Sequence, residues 1–206
     1  MWLNNVIFED KVIENERLEL TAKDALYYLG PKLTLRHCTL VLQVPARRLL
    51  LAGPQLMDCT IEVKTELKNL PWYTASLRGC RFTGKLTGND FGYYPNPALP
   101  DRDMGRVEDC DFSRAQLHGC RFIGCDVSTL KFPRWPWFTL LHPYKRAREL
   151  AALPWPGQLS VAMSGFTDIP ATTEALTRSA TVLAKQFETT EEAIKATLAL
   201  LDDVIY

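Results

Sequence analysis

A five-residue rhythm of apolar positions runs through residues 107–132. Each group of five starts with a small or modest apolar residue and has a large apolar residue in third place, while the other positions are mostly polar. A step of five does not hold one face of an α-helix, and it changes parity along a β-strand. The pattern therefore predicts a chain that turns a corner every five residues, with four corners closing a coil of about twenty residues. The first and third residues of these groups are Cys110 and Phe112, Ala115 and Leu117, Cys120 and Phe122, and Cys125 and Val127.

The same rhythm recurs earlier in the chain at a longer period. Matched units repeat every 21 residues, with cysteines at Cys38, Cys59 and Cys80. A period of one coil that keeps the same residue type indicates that each coil stacks on its predecessor. We therefore predict a β-solenoid whose core contains Leu40, Ile61, Phe82, Cys110, Phe112, Leu117, Cys120, Phe122, Cys125 and Val127.

These units resemble those of the pentapeptide-repeat family, whose pattern is Ala-(Asp/Asn)-Leu-X-X. The match is good over residues 107–132 and degenerate elsewhere, as in Ala75-Ser-Leu77-Arg-Gly. The resemblance implies a mainly β fold, a right-handed parallel quadrilateral β-helix. It also implies a role in binding other macromolecules. Degenerate β-helices of this kind occur among bacterial toxin-immunity proteins, and one branch of the family protects gyrase by resembling duplex DNA.

The patterns divide the chain into three regions. Residues 1–132 form the β-helix, with an N-terminal cap of short strands and a helix-like run over residues 21–28, and with a loop insertion at 88–105. Residues 133–169 are a Pro/Trp-rich capping linker with a short helix, and residues 170–206 form a small α-helical C-terminal region of two helices.

Specific residues define the expected C-terminal elements. Trp135, Trp137 and Phe138 are expected to lie across the last coil as a lid, with a helix at about residues 143–153 after them. In the first C-terminal helix, Leu176, Leu183 and Phe187 share a face. Thr189-Thr190-Glu191-Glu192 has the composition of a capping box for the second.

The inserted segment 88–105 supplies the candidate partner-binding residues. Its prolines cannot support a continuous strand ladder, so we expect a loop leaving one corner of the coil. Exposed aromatic and charged side chains on such a loop suit a protein interface. A flap that covers the side of the β-helix is the alternative. The candidate residues are Phe91, Tyr93, Tyr94, Asp101, Arg102 and Asp103.

The cysteine spacing argues against a metal site. A structural zinc site needs close pairs of ligands, and no second close pair accompanies Cys120 and Cys125. At the predicted inward positions a cysteine acts as a small hydrophobe. We expect no metal and no disulfide.

Catalytic motifs are missing from the sequence as well. There is no nucleophile elbow, P-loop or zinc-protease motif. Of the three histidines, His37 and His118 are expected to point outward at corners, and His142 lies in the linker. We expect a protein that is not an enzyme, with no cofactor and no small-molecule substrate.

Charge and hydropathy limit the class of partner and the cellular compartment that we expect. Lysine and arginine total 24 and so do aspartate and glutamate, so the chain has neither the basic excess of a nucleic-acid binder nor the acidic excess of a DNA mimic. Short basic clusters such as Arg47-Arg48 are better explained as solvated corners. No signal peptide or membrane-length apolar run is visible, so we expect a cytoplasmic protein that does not bind a membrane.

Together these observations favour a non-enzymatic protein-binding module. The specific hypothesis is an immunity protein that binds and occludes a cognate bacterial toxin. One alternative is a topoisomerase-interacting pentapeptide-repeat protein that mimics DNA. A polymer-acting β-helix enzyme is another. A homodimer formed through the C-terminal helices is a further alternative.

Overall fold

The computed structural model describes residues 4–94 and 105–206. Over most of this length the chain forms short strands that pair in parallel with strands one coil away. The strands of the coils, in chain order, are β1 (Asn4–Phe8), β2 (Val12–Glu14), β3 (Arg17–Leu20), β4 (Ala25–Leu29), β5 (Thr34–Arg36), β6 (Thr39–Leu42), β7 (Leu49–Leu51), β8 (Gln55–Met57), β9 (Thr60–Lys68), β10 (Ser76–Arg78), β11 (Arg81–Thr87), β12 (Asp90–Gly92), β13 (Arg106–Glu108), β14 (Asp111–His118) and β15 (Cys120–Ile123).

The coils stack into the sides of a solenoid. The second side is the sheet β2-β5-β8-β10-β13, and the third is β3-β6-β9-β11-β14. The first side begins as β1-β4-β7 and reappears at the other end as β12 paired with β15. Every one of these pairings is parallel. The mainly β, stacked-coil fold predicted from the repeat is thus confirmed.

The corner between the second and third sides explains the cysteine period. The residue at this corner has a positive φ in successive coils, a conformation that glycine, asparagine and aspartate adopt most readily. The next residue turns inward and is at most 1% exposed where it is cysteine. Each thiol donates to a nearby carbonyl, as Cys59 Sγ does to Leu35 O at 3.4 Å. The corner residues are Asn15, His37, Asp58, Gly79 and Asp109, and the cysteines after them are Cys38, Cys59, Cys80 and Cys110.

The third side is longer than the repeat predicts, because its later strands bend. The register shifts within β11 between Gly84 and Leu86, and the residues beyond the bend form a short fourth side. There Leu86 lies opposite both Leu67 and Leu117, and all three leucines are fully buried. Gly84 sits at the bend with φ of 92°, and a Cβ at this position would lie 2.0 Å from Val63 O. The bend therefore depends on a glycine.

The core of the later coils contains a column of aromatic rings, which we call the aromatic column. Phe82 stacks on Phe112 at 4.7 Å between centroids, and Phe91 stacks on Phe122 at 5.1 Å. Rings from the two stacks meet edge to face, as Phe91 and Phe112 do at 5.0 Å. Offset stacks and edge contacts are the favourable aromatic geometries. Trp72 and Phe132 extend the column at its two ends.

One polar side chain, Asn89, is fully buried in this core. Its Nδ2 donates to Leu67 O and Thr87 O, both at 2.9 Å, and its Oδ1 accepts from Trp72 Nε1 at 3.2 Å. All its hydrogen-bonding groups are engaged, which offsets the cost of burying an amide. Asn89 thereby ties three successive segments of the chain together.

Eight of the ten predicted core residues are at most 1% exposed: Leu40, Ile61, Phe82, Cys110, Phe112, Leu117, Cys120 and Phe122. The prediction is wrong in degree for Cys125 and Val127, which are only partly buried against the same core. The reason is local. Val127 starts a 3₁₀ turn, Val127–Thr129, that ends the regular coil.

The insertion begins later than its sequence indicates. Ser76 lies opposite Gln55, 21 residues earlier, and opposite Arg106, 30 residues later, so this coil is longer than the one before it. However, the start of the expected loop is β12, paired in register with β15. Its Phe91 is fully buried, so the prediction of an exposed Phe91 is wrong.

After the coils, the chain extends the first side with antiparallel strands β16 (Trp137–Leu141), β17 (Thr173–Ser179) and β18 (Val204–Ile205). The sheet order is β12-β15-β17-β16-β18. Where the sequence predicts the start of a helix, the structure has β17, because this segment satisfies the free edge of β15. The predicted lid is therefore a sheet extension, in which Phe138 is buried and Trp137 begins β16.

The outer face of this extended sheet is covered by helices α1 (Ala147–Ala152), α2 (Leu159–Ala162), α3 (Ala180–Gln186) and α4 (Glu191–Leu198). Phe138, Leu140 and Leu176 join a second core formed with Leu183, Ile194 and other helical residues. Thr190 caps α4 by accepting the Ala193 N–H at 3.1 Å. The predicted capping box is wrong in detail, because the third helical residue is Ala193 and not a glutamate. The apolar faces of α3 and α4 are turned to this core, so dimerisation through these helices would have to use their outer faces.

At the N-terminal end the structure corrects two predictions. Residues 25–29 form β4 rather than part of a helix, and their alternating burial shows inward Ala25, Tyr27 and Leu29. The strands expected to form a separate cap are β1, β2 and β3, which make up the first coil itself.

Candidate protein-binding surface

The outward positions of the first side carry large apolar side chains. Ile7, Tyr28 and Leu50 occupy equivalent places in β1, β4 and β7, so they stack in register across the sheet. Ile7 is 50% exposed and Leu50 is 51% exposed. Because strand residues alternate between the two faces, these side chains point away from the core that their neighbours fill. The result is a column of apolar side chains facing solvent.

Aromatic residues lie further along the same side of the solenoid. In the next coil a 3₁₀ turn, Trp72–Thr74, takes the place of a strand, and Gly53 donates its N–H to Thr74 O at 2.8 Å. The turn buries Trp72 and leaves Tyr73 at the surface, where its ring lies 5.4 Å from that of Tyr94. We call Ile7, Tyr28, Leu50, Tyr73 and Tyr94 the first-side stripe.

A strong ion pair lies at the far end of the first-side stripe. Arg121 on β15 donates from Nε and Nη2 to the two carboxylate oxygens of Asp90 on β12, at 2.7 and 2.6 Å. This two-point hydrogen bond raises the pKa of Arg121, and the nearby Tyr73 and Tyr94 add to the effect. The geometry fixes the arginine beside the tyrosines. Tyrosine and arginine are the side chains that contribute most often to protein interfaces.

The predicted partner-binding residues divide into three groups. Tyr93 and Tyr94 are 47% and 38% exposed, in agreement with an accessible position. Phe91 is a core residue and is removed from the candidate surface. Asp101, Arg102 and Asp103 fall outside the described residues.

Acidic and basic side chains form ion pairs with each other on the third side. Glu62 bonds Lys64 at 2.9 Å and Arg17 at 3.4 Å, and the bond to Lys64 does most to lower the pKa of Glu62. Glu66 bonds Thr87 at 2.7 Å and Lys85 at 3.3 Å, and the bond to Thr87 is the main cause of its lowered pKa. Because each carboxylate has a basic neighbour, the two signs offset each other along this side.

The cysteines have the properties of core thiols. Burial raises the pKa of Cys120 to about 12, and burial likewise raises the pKa of Cys125 to about 12. A thiol with so high a pKa stays protonated at neutral pH and is a poor nucleophile. Within residues 4–94 and 105–206, no three histidine, cysteine, aspartate or glutamate side chains lie close enough to hold a metal ion.

The histidines differ in their surroundings. His37 is exposed at a corner, as predicted. The prediction is wrong for His118, which lies against β17 and accepts the Ser179 N–H on Nδ1 at 3.1 Å. Burial, helped by the positive charges of Arg178 and Lys85, lowers the pKa of His118 to about 4. His142 Nδ1 lies 2.7 Å from Glu174 Oε2.

Sequence reasoning missed most of the first-side stripe. The signal was present in Leu49-Leu50-Leu51, where a strand must point its middle residue away from the core. In the two preceding coils the same position is held by Ile7 and Tyr28. A search for apolar residues at outward positions one coil apart would have found the column.

None of the helices in the described part of the chain is long and apolar enough to cross a membrane. Comparisons with protein-family models, with curated proteins and with solved structures return no match for this chain.

Proposed function

We propose that this protein is a non-enzymatic cytoplasmic module that binds another protein through the first-side stripe. The observation that supports the proposal is the in-register set of Ile7, Tyr28 and Leu50, with Tyr73 and Tyr94 further along the same side beside the Arg121–Asp90 pair. Isolated exposed apolar residues are common on protein surfaces. A contiguous set along one side of a solenoid is typical of an interaction site.

The solenoid suits such binding because its surface is rigid. Strands β1, β4 and β7 of the first side are held by parallel backbone pairing, and the inward side chains of β4 and β7 are buried in the solenoid core. A partner that docks on this side orders few additional residues, so less of the binding energy is lost to conformational entropy. Leu50 and Tyr94 are the expected main contacts, since each offers a large accessible side chain.

Within this class we propose an immunity protein that occludes a bacterial toxin. The support is the resemblance of the repeats to pentapeptide β-helices, together with an apolar rather than an acidic candidate surface. A DNA mimic that acts on a topoisomerase would need a strongly negative side. The third side instead combines Arg17, Lys64 and Lys85 with its carboxylates.

The test is capture of the partner by the wild-type chain and by a stripe variant. Leu50→Glu combined with Tyr94→Ala places a charge in the middle of the stripe and removes one tyrosine. Both residues are exposed, so the fold is expected to remain stable. We expect the wild-type chain to retain a specific protein from its native host, and the double variant to bind that purified protein at least about tenfold more weakly.

The matched control is Ser113→Glu, which adds the same charge on an exposed residue of the third side. It should bind the captured protein with wild-type affinity. Equal affinity of the double variant and the wild type, measured by calorimetry with the purified pair, would rule out the first-side stripe as the docking site.

A further inference from the structure

A cleft lies between the solenoid and the helical C-terminal part. Its volume is about 310 Å³, which is near the lower end of the range for small-molecule sites. The solenoid contributes the corner residues Asn69, Gly88 and Gly119, and β15 contributes Arg121. On the other side the walls are apolar, with Phe166, Ile169 and Leu176.

Arg178 on β17 also lines this cleft, and it has no compensating charge among the described residues. Its Nε is buried without a hydrogen-bond partner, and none of the ion pairs found in the described part of the chain involves its guanidinium. An arginine that loses its hydration without gaining a partner destabilises a fold. The buried Nε–H of Arg178 is therefore an unused hydrogen-bond donor that an anionic ligand would satisfy.

The sheet register places a second arginine, Arg121, at a diagonal position across β15 and β17. Arg121 lies opposite Leu176 in the antiparallel β15–β17 pair, and Arg178 is two residues further along β17 on the same face. Such diagonal positions are roughly 7–8 Å apart. Arg121 uses Nε and Nη2 to bind Asp90, which fixes its orientation and leaves its Nη1 without an ion-pair partner in the described residues.

The other titratable groups near Arg178 do not neutralise it. His118, on the adjacent corner, accepts a backbone N–H on Nδ1 and so stays uncharged in this arrangement. Lys85 adds positive charge in the same neighbourhood, and its partner Glu66 already bonds Thr87 and Lys85. Arg178 is consequently the one lining arginine whose charge has no partner among the described residues, and its Nε is shielded from solvent.

We propose that this cleft binds the phosphate group of a small phosphomonoester, with Arg178 as the principal contact and Arg121 as the second. A guanidinium matches the geometry and charge of a phosphate, and both arginines line the cleft. The apolar wall formed by Phe166, Ile169 and Leu176 would contact the remainder of the ligand. This site shares Arg121 with the ion pair at the end of the first-side stripe, but it does not depend on the proposed protein partner.

The first experiment compares two probes with a salt control on the full chain. Inorganic phosphate and phenyl phosphate are titrated calorimetrically and in thermal unfolding, and sodium chloride is used at the same ionic strength. At ten times its Kd, phenyl phosphate should raise the melting temperature by about 3 °C. Phenyl phosphate should bind at least about tenfold more tightly than inorganic phosphate, because only the ester has a ring for the apolar wall.

The matched variants are Arg178→Met and Arg47→Met. Arg178→Met removes the uncompensated charge, so it should melt at a higher temperature than wild type without ligand and show no response to phenyl phosphate. Arg47→Met changes an exposed arginine far from the cleft and should respond as wild type. Arg178→Lys retains charge without the two-point geometry and should bind more weakly.

Three results would overturn the proposal. One is a wild-type chain that responds to phenyl phosphate no more than to chloride. Another is an undiminished response in both Arg178→Met and Arg178→Lys. The third is equal binding of inorganic phosphate and phenyl phosphate, which would assign the cleft to the free ion and exclude the ester.

Discussion

Replacing Phe122 by alanine should lower the free energy of unfolding by about 3–5 kcal/mol. Phe122 is fully buried and contacts three rings, those of Phe91, Phe112 and Phe132, at 5.0–5.1 Å between centroids. Its backbone is held in the sheet on both sides, so the walls of the resulting cavity cannot move together easily. The loss should be visible as a lower denaturation midpoint in urea.

The control is Cys120→Ala, two residues away on the same strand and equally buried. Its thiol fills little volume and donates one weak hydrogen bond to Leu86 O at 3.4 Å, so we expect a cost of about 1 kcal/mol. If Cys120→Ala unfolded the protein while Phe122→Ala were tolerated, the cysteine would have a role beyond packing. Unfolding of the wild-type chain by a metal chelator would contradict the packing role in the same way.

Gly84→Ala should lower the free energy of unfolding by about 3 kcal/mol. The added Cβ would lie 2.0 Å from the backbone oxygen of Val63, which belongs to the neighbouring strand β9 and cannot rotate away. The residue would also have to adopt a φ of 92°. The steric overlap and the unfavourable φ would both destabilise the bend that creates the fourth side.

Gly53→Ala measures the cost of the unfavourable backbone conformation without the steric overlap. Gly53 has a similar φ of 84°, but nothing lies within 4 Å of its added Cβ. This variant should lose only about 1 kcal/mol, from the unfavourable backbone conformation alone. Equal losses in the two variants, measured by urea denaturation, would show that the close approach at Gly84 has no energetic consequence.

The solenoid could be predicted from the repeat, because the repeated residue types occupy equivalent packing positions in successive coils. Cys38, Cys59 and Cys80 recur at a fixed interval since each follows the same corner, and their burial was predicted from that interval. The spacing of residue types along the chain was sufficient to predict the fold, because a parallel solenoid places equivalent residues over one another.

Elements outside the repeat were harder to predict, because their partners are distant in sequence. Leu176 and Leu183 have helical spacing, yet residues 173–179 form β17, which pairs with β15 more than fifty residues earlier. Tertiary pairing overrode the local pattern. Phe91 was misplaced for a related reason: its proline-rich neighbours indicate a loop, whereas the three residues of β12 complete the first side.

The candidate surface was only partly visible in the sequence. Tyr93 and Tyr94 were identified from their aromatic character in a proline-rich segment. Ile7 and Leu50 were not, because an outward apolar residue in a strand has the same composition as an inward one until the register is known. Arg178 gave no signal at all, since its isolation follows from the packing of β17 against the helices.

The proposal that the first-side stripe serves toxin inhibition is tested most directly in growing cells. The protein captured by the wild-type chain is expressed from an inducible promoter in a bacterial strain, alone and together with each variant. We expect growth arrest when it is expressed alone, and recovery with the wild-type chain or Ser113→Glu. The combined Leu50→Glu and Tyr94→Ala variant should fail to restore growth at equal protein level. A captured protein that leaves growth unaffected, or full protection by the double variant, would contradict the account.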